Sequence, residues 1–411
     1  MRASRLAAVG AILLSGCQSL LVSAPAESFN AAELDQQSTA GDALQFPTLE
    51  SGVEELGDDS GDGSPAGQLV AGWSLEDKIA SLFLVHIAGT NLADFEQAAS
   101  TGLAGFLVLR SNVPGDAEAS RPFLSSVREL GEPELLIAID QEGGAVQRLR
   151  PDPFPSPSEL GELGLADAED ATRQRNQLVF DAGANLNLGI IADVSPGPNA
   201  YIHERSFGTD PVEVSQFVDA AVGASIDGVA TAVKHFPGHG LTSGDTHEGV
   251  AHSAISYDNW LAQHALPFQI AIDDDVPLLM FGHLVVDAVD SEPASLSPEW
   301  VALVRDQWAY DGVLITDDLS MLENAGDDAY SDFATNATAA IAAGMDLIID
   351  AGGTSLNSEM NRVDEAIAAI AAAVESGAIS QERIDAAATR VASLRYLLWG
   401  VSRPLENADA G

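Results

Sequence analysis

Residues 234 to 252, KHFPGHGLTSGDTHEGVAH, carry four of the eight histidines of this 411-residue chain, one of its two lysines, and an Asp-x-His pair, Asp245 and His247. An aspartate that accepts a hydrogen bond from an imidazole fixes the ring's tautomer and raises its basicity. The result is an acid/base group that works near neutral pH. Further on, GVLITDDLSM sets Asp317 just past an apolar, strand-like run, where a carboxylate can face a cleft. In extended backbone Asp318 points the other way, so one acid of the two is the functional one. One carboxylate nucleophile and one acid/base group are the minimum set for glycosidic bond cleavage with retention. A metal centre is the rival use for His235, His239, His247, His252 and Asp245. Their spacing matches no HExxH or other compact zinc pattern, and Pro237 and Gly238 prevent a helical i, i+4 pair between His235 and His239. No metal is therefore expected. His252 and His264 read as structural or surface residues, His86 as packed at a strand end, and His239 as support for the loop.

Something must bring these dispersed groups together. Short apolar runs of strand length recur at 82–87, 105–109, 134–139, 186–192, 231–236, 277–283, 312–316 and 346–350. Amphipathic stretches such as AEDATRQRNQLVFDAGA and SDFATNATAAIAAG separate them. This alternation predicts a parallel sheet covered by helices, and eight units fit a (β/α)₈ barrel in one catalytic domain over 71–403. An open doubly wound sheet is the alternative, although no GxGxxG follows the first run. In a barrel all C-terminal strand ends point into one bowl. Asp140, Asp193, Lys234, His235, His283 and Asp317 each close or follow a run, so they are expected to converge there.

The net charge of −44, with Lys78 and Lys234 the only lysines, describes a surface that repels nucleic acid and anionic headgroups. It fits a salt-rich habitat, or the codon bias of a GC-rich genome. The single cysteine, Cys17, excludes an intramolecular disulfide and a multi-thiolate zinc site. It ends MRASRLAAVGAILLSGC, in which two arginines precede an apolar run too short to span a bilayer. LSGC resembles the bacterial lipobox. Residues 1–17 then read as a signal peptide, and Cys17 as a lipidated anchor holding the protein outside the cytoplasmic membrane. Residues 18–70, rich in Ser, Ala, Gly, Asp and Glu, read as an acidic tether, and 404–411 as a flexible tail.

KHFPGHG, four residues and then Asp-Thr-His resemble the signature of glycoside hydrolase family 3, in its β-N-acetylglucosaminidase branch. AIDQEGGAVQRL (138–149), ADVSPGPNAYIHERSFGTDP (192–211), MFGHLVVDAVDSEPASLS (280–297) and TDDLSM (316–321) extend the resemblance, which runs from about Leu75 to Gly400. It implies Asp317 as the nucleophile that forms a covalent glycosyl-enzyme, and His247 as general acid and then base with Asp245 as its partner. It also implies that Asp140, Arg148, Arg205, Lys234 and His235 hold the sugar's hydroxyls and acetamido group. No metal or organic cofactor is implied. The expected partners are a GlcNAc-containing glycan, such as a cell-wall fragment, and the membrane through the lipid; nucleic acid is not one.

The sequence departs from the family at Ala145, where an arginine usually follows EGG, so a forked hydrogen-bonding group is missing there. A β-glucosidase, a phosphorylase that passes the sugar to phosphate, and a catalytically silent sugar-binding lipoprotein are the other readings of the same barrel.

Overall fold

Eight short runs of aliphatic residues are apolar on both faces because both faces are covered, by the barrel interior on one side and by helices on the other. In the computed structural model, which describes residues 63–242 and 250–402, these runs are β1 (Phe83–Val85), β2 (Gly105–Val108), β3 (Leu136–Ile139), β4 (Leu186–Ile191), β5 (Ala230–Phe236), β6 (Leu278–Phe281), β7 (Val313–Asp318) and β8 (Leu347–Asp350). All eight expected strands are present. Every neighbouring pair is parallel, and the order β1-β8-β7-β6-β5-β4-β3-β2 closes on itself. Closure excludes the open doubly wound sheet. The fold is a (β/α)₈ barrel.

Between β3 and β4, asparagine side chains extend the backbone ladder. Asn185 Oδ1 accepts from the Ile137 N–H at 2.7 Å, its Nδ2 donates to the Leu135 carbonyl at 2.9 Å, and Asn187 Oδ1 accepts from the Gln141 N–H at 3.2 Å. The Asn185 bonds grip the start of β3, and the Asn187 bond meets the chain just past its end, where the site-bearing segment begins. At the end of β5, Phe236 lies among Trp260, Trp300, Phe268 and Phe281, and the Trp260 indole N–H donates to the Pro237 carbonyl at 2.9 Å. Buried aromatics of this size dominate local packing energy. Here they hold the exit of β5, where KHFPGHG begins.

The folded body starts earlier than composition suggests. Residues Pro65–Ala71 form a helix whose Ser64 hydroxyl accepts from the Gly67 N–H at 2.9 Å and whose Ala66 and Val70 are buried. This helix packs on the C-terminal helix Gln381–Ser402. The boundary at 70/71 therefore moves to about residue 64. An i, i+4 pair as small as Ala and Val leaves little mark in a Ser/Ala/Gly-rich stretch. Cys17, most of the tether, Asp245, His247 and the tail at 404–411 lie outside the described residues. Among the described residues, no helix is long and apolar enough to cross a membrane.

Candidate active site

The C-terminal strand ends enclose a cavity of about 470 Å³. Asp140, Arg148, Arg205, Lys234, His235 and Asp317 all line it, together with Glu142, Tyr201, His239 and Met321. Six of the eight residues expected to act on substrate thus come together from four strand ends, those of β3, β4, β5 and β7, or the loops beyond them. Asp245 and His247, the remaining two, fall in 243–249, outside the described residues.

One wall is a chain of alternating charges. The Lys234 ammonium donates to Asp140 Oδ1 at 2.8 Å and lies 2.7 Å from Glu142 Oε1. Arg148 binds the other Asp140 oxygen at 2.8 Å. Arg205 grips Glu142 with two prongs, Nε at 2.8 Å and Nη2 at 2.9 Å. Burial alone would neutralise these groups, but their partners keep them charged. Burial raises the Asp140 carboxyl, yet Lys234 and Arg148 outweigh it and hold the group well below the usual carboxylate range. Glu142 is likewise lowered against burial by Arg205 and Lys234. Lys234 is raised against burial by Asp140 and Glu142.

His235 is positioned by the same chain. Its Nδ1 lies 2.7 Å from Asp193 Oδ2 and its Nε2 lies 3.1 Å from Arg205 Nη2. A guanidinium only donates, so Nε2 must accept, and Nδ1–H donates to Asp193. The ring is neutral: burial, then Arg205 and Lys234, push its pKa down to about 3. Asp193, fully buried, also accepts from the His239 backbone N–H at 2.6 Å. The chain can come this close because position 240 is glycine: a Cβ there would sit 1.8 Å from the Val194 carbonyl oxygen. His239 meets His235 edge to face at 4.4 Å, and its Nδ1 has no hydrogen-bond partner among the described residues. Its pKa is also pushed down to about 3, by burial and by His235.

Opposite stands Asp317. Burial raises its carboxyl, but His235, His283, Lys234 and the N–H of Asp318 bring it to about 2, so it is ionised at neutral pH. Asp318 is turned to structural duty, as the extended backbone predicts. Its oxygens accept from the Ser320 N–H at 3.0 Å, the Ser320 hydroxyl at 2.7 Å and the Ala351 N–H at 3.0 Å. His283 Nε2–H donates to the Asp318 carbonyl at 2.9 Å, and the Ser295 hydroxyl donates to His283 Nδ1 at 2.7 Å. Asp318, the residue next to Asp317, is thereby held from both neighbouring strands, by His283 beyond β6 and Ala351 beyond β8.

Glu142 is the residue the sequence reading missed. Its signal was a second acid two positions after Asp140, in a segment where the glycines drew attention. The acidic partner of Arg205 is Glu142, 63 residues away in the chain. Asp193 is the anchor of His235, and His239 is part of the cavity wall as well as of the loop. Ala145 sits exposed at the tip of a hairpin formed by Gln141–Gly143 and Val146–Gln147, while Val146 and Arg148 beside it line the cavity. The missing arginine therefore leaves the charge chain intact. His252 makes a surface pair with Asp287 at 3.4 Å, and His86 packs with its Nδ1 3.2 Å from the Leu107 carbonyl. Among the described residues, one group could hold a metal: His235, His239 and Asp317, whose ligand atoms lie within 4.8 Å of one another.

The arrangement offers an ionised carboxylate facing a comb of fixed donors and acceptors across a space that fits a sugar ring. A family model described as the glycosyl hydrolase family 3 N-terminal domain matches residues 74–394. The chain is 34% identical over 254 residues to a protein named beta-hexosaminidase from Methylococcus capsulatus, covering 60% of this chain and 75% of that one. A beta-hexosaminidase of Bordetella avium is 32% identical over 280 residues, covering 65% and 79%. Among solved structures, a family 3 beta-N-acetylglucosaminidase from a Paenibacillus species superposes with a TM-score of 0.74 at 29% identity, covering 82% of this chain and 65% of that one. The chain thus spans just under two thirds of the Paenibacillus protein. A beta-N-acetylhexosaminidase from Beutenbergia cavernae superposes with a TM-score of 0.68 at 28% identity, covering 79% and 99%.

Proposed function

The chain belongs to glycosyl hydrolase family 3, and from that premise we propose that it is a retaining exo-β-N-acetylglucosaminidase that removes terminal β-linked GlcNAc from cell-wall fragments or related glycans. The observation that carries this reading is Asp317, an ionised carboxylate at the end of β7 that faces the charge chain across one sugar-sized cavity. The relatives named for hexosaminidase activity support an acetamido sugar over glucose.

In the proposed first step Asp317 attacks the anomeric carbon while His247 protonates the departing oxygen. A β-linked glycoside becomes an α-linked glycosyl-enzyme, and the aglycone leaves as an alcohol. In the second step His247 takes a proton from water, whose oxygen displaces Asp317 and restores the β configuration. Asp245 orients the imidazole. Asp140, Lys234, Arg148, Arg205 and His235 hold hydroxyl and acetamido groups. Their mutual ion pairs fix them before substrate arrives, so little reorganisation is needed in the transition state. Asp318, pushed up to about 6 by burial, is no substitute acid, because its oxygens already accept from Ser320 and Ala351. An imidazole–aspartate pair supplies a proton without requiring a raised carboxyl pKa.

Turnover of 4-nitrophenyl β-N-acetylglucosaminide beside the matching β-glucoside, with and without phosphate, tests this function. Preference for the acetamido sugar with free GlcNAc as product supports it. Sugar 1-phosphate as product would make the protein a phosphorylase, and inertness toward both sugars would leave a binding protein. Anchoring through Cys17 outside the cytoplasmic membrane is part of the same proposal. It predicts that the protein sediments with membranes and that Cys17→Ala releases it.

A further inference from the structure

We propose that the cavity also binds one divalent transition-metal ion, held by His235, His239 and Asp317, and that this ion shuts the site. The three side chains present ligand atoms within 4.8 Å of one another, although the pattern HFPGH resembles no zinc motif. A turn brings the two imidazoles together where a helix would have been needed to do so by spacing. The rings meet edge to face at 4.4 Å.

Two details point to a ligand. His239 is only 5% exposed and lines the cavity, yet its Nδ1 has no hydrogen-bond partner among the described residues. A buried imidazole nitrogen left in that state carries a desolvation cost that a bound ion or its water would offset. His235 donates Nδ1–H to the Asp193 carboxylate at 2.7 Å. That outer contact is the one that fixes tautomer and ring orientation in histidines that bind metal through the other nitrogen. Two imidazoles and one carboxylate with open positions toward a cavity suit Zn²⁺, Co²⁺ or Ni²⁺. Mg²⁺ and Ca²⁺ prefer all-oxygen shells.

The opposing forces are Lys234 and the hydrogen bond from Arg205 Nη2 to His235 Nε2 at 3.1 Å. An ion displaces that one bond, while Arg205 keeps both contacts to Glu142. The field of a chain with net charge −44 favours the cation. An ion bound there takes the Asp317 oxygen and the space of a sugar ring, so metal and GlcNAc exclude each other. The inhibition rests on the nucleophile proposed above; the binding does not.

The experiment titrates the full chain with Co²⁺, followed by visible absorption, and with Zn²⁺, followed by turnover of the aryl N-acetylglucosaminide. The expected result is one Co²⁺ per chain with the intense bands of a low-coordinate ion, displaced by Zn²⁺ and by GlcNAc. His239→Ala, with folding checked by thermal unfolding and His239→Gln as a second variant, should weaken binding by about tenfold or more, since even an outer contact is worth about 10–100-fold in affinity. Zinc should inhibit competitively and EDTA should restore turnover. Weak octahedral-type bands that ignore GlcNAc and survive both variants would be binding to surface carboxylates and would overturn the site. A cobalt site with these properties in a protein that turns over no sugar would uphold the metal site and overturn the nucleophile.

Discussion

Glu142 shows how much of the site's rigidity rests on one residue that touches two cations. Its side chain is fully buried between Lys234 and Arg205. Removing one member of such a pair leaves an uncompensated buried charge, at a cost of about 3–5 kcal/mol. Glu142→Ala is therefore expected to lower the unfolding free energy by about that amount and to abolish turnover, whereas Arg148→Ala, at the half-exposed end of the chain, should cost far less stability. Denaturant titration of both variants checks the ordering, and equal losses would contradict it. Glu142 was hidden in the sequence because its partner Arg205 lies 63 residues away, and one chain shows no such pairing. Asp317 was legible for the opposite reason: a lone pair of acids after an unbroken apolar strand has few structural uses. Its low pKa also keeps Asp317 ionised down to about 2, so it does not set the acid side of the pH–rate profile above that value. Ionisation of Asp317 favours the fold above its ordinary value of 3.8, and that contribution is lost as pH falls through about 2. Any loss of activity between pH 6 and 4 should accordingly arise from groups other than Asp317, which stays ionised across that range. On the proposed mechanism the alkaline limb would belong to His247, and in His247→Ala it should flatten while glycosides with good leaving groups keep more activity than poor ones.

At the scale of elements, the loop after β5 is pressed against the loop after β4. Gly240→Ala would place a methyl carbon 1.8 Å from the Val194 oxygen, so the loop must move. Overpacking of this kind costs about 1–3 kcal/mol. Because the same turn carries His239 and leads to Asp245 and His247, kcat should fall more than stability alone explains. A variant with wild-type turnover would contradict this coupling. The eight strands were legible because burial on both faces leaves unbroken apolar runs, and their polar ends marked the bowl. The helix Pro65–Ala71 was not legible, since its buried stripe is one alanine and one valine. Nor was the Asp193 anchor visible, because its contacts run to His235 and His239 across two strands.

For the whole molecule, buried neutral histidines and surface charge set the response to solvent. His235 and His239 are pushed down to about 3 and His264 to about 4, each by burial first. Their contribution to stability is complete above the ordinary value of 6.5 and is lost as pH falls toward those values, because the unfolded chain takes up protons that the fold refuses. The midpoint of thermal unfolding should fall steadily from pH 6.5 to 4; a flat profile would contradict the buried neutral rings. A net charge of −44 also predicts that salt stabilises. Raising the salt from about 0.1 M, where the Debye length is about 10 Å, to about 1 M shortens it to about 3 Å and screens self-repulsion, so the midpoint should rise. Composition alone announced this charge, while the histidines' burial required the fold. The central claim is that the carboxylate of Asp317 becomes covalently bound to the sugar. Intact mass after brief reaction with a slow 5-fluoro-N-acetylglucosaminyl fluoride, followed by peptide mapping, tests it most directly. The account predicts one added fluoro-sugar per chain, located on Asp317 and absent in Asp317→Asn. Label on another residue, or complete turnover by Asp317→Asn, would contradict it.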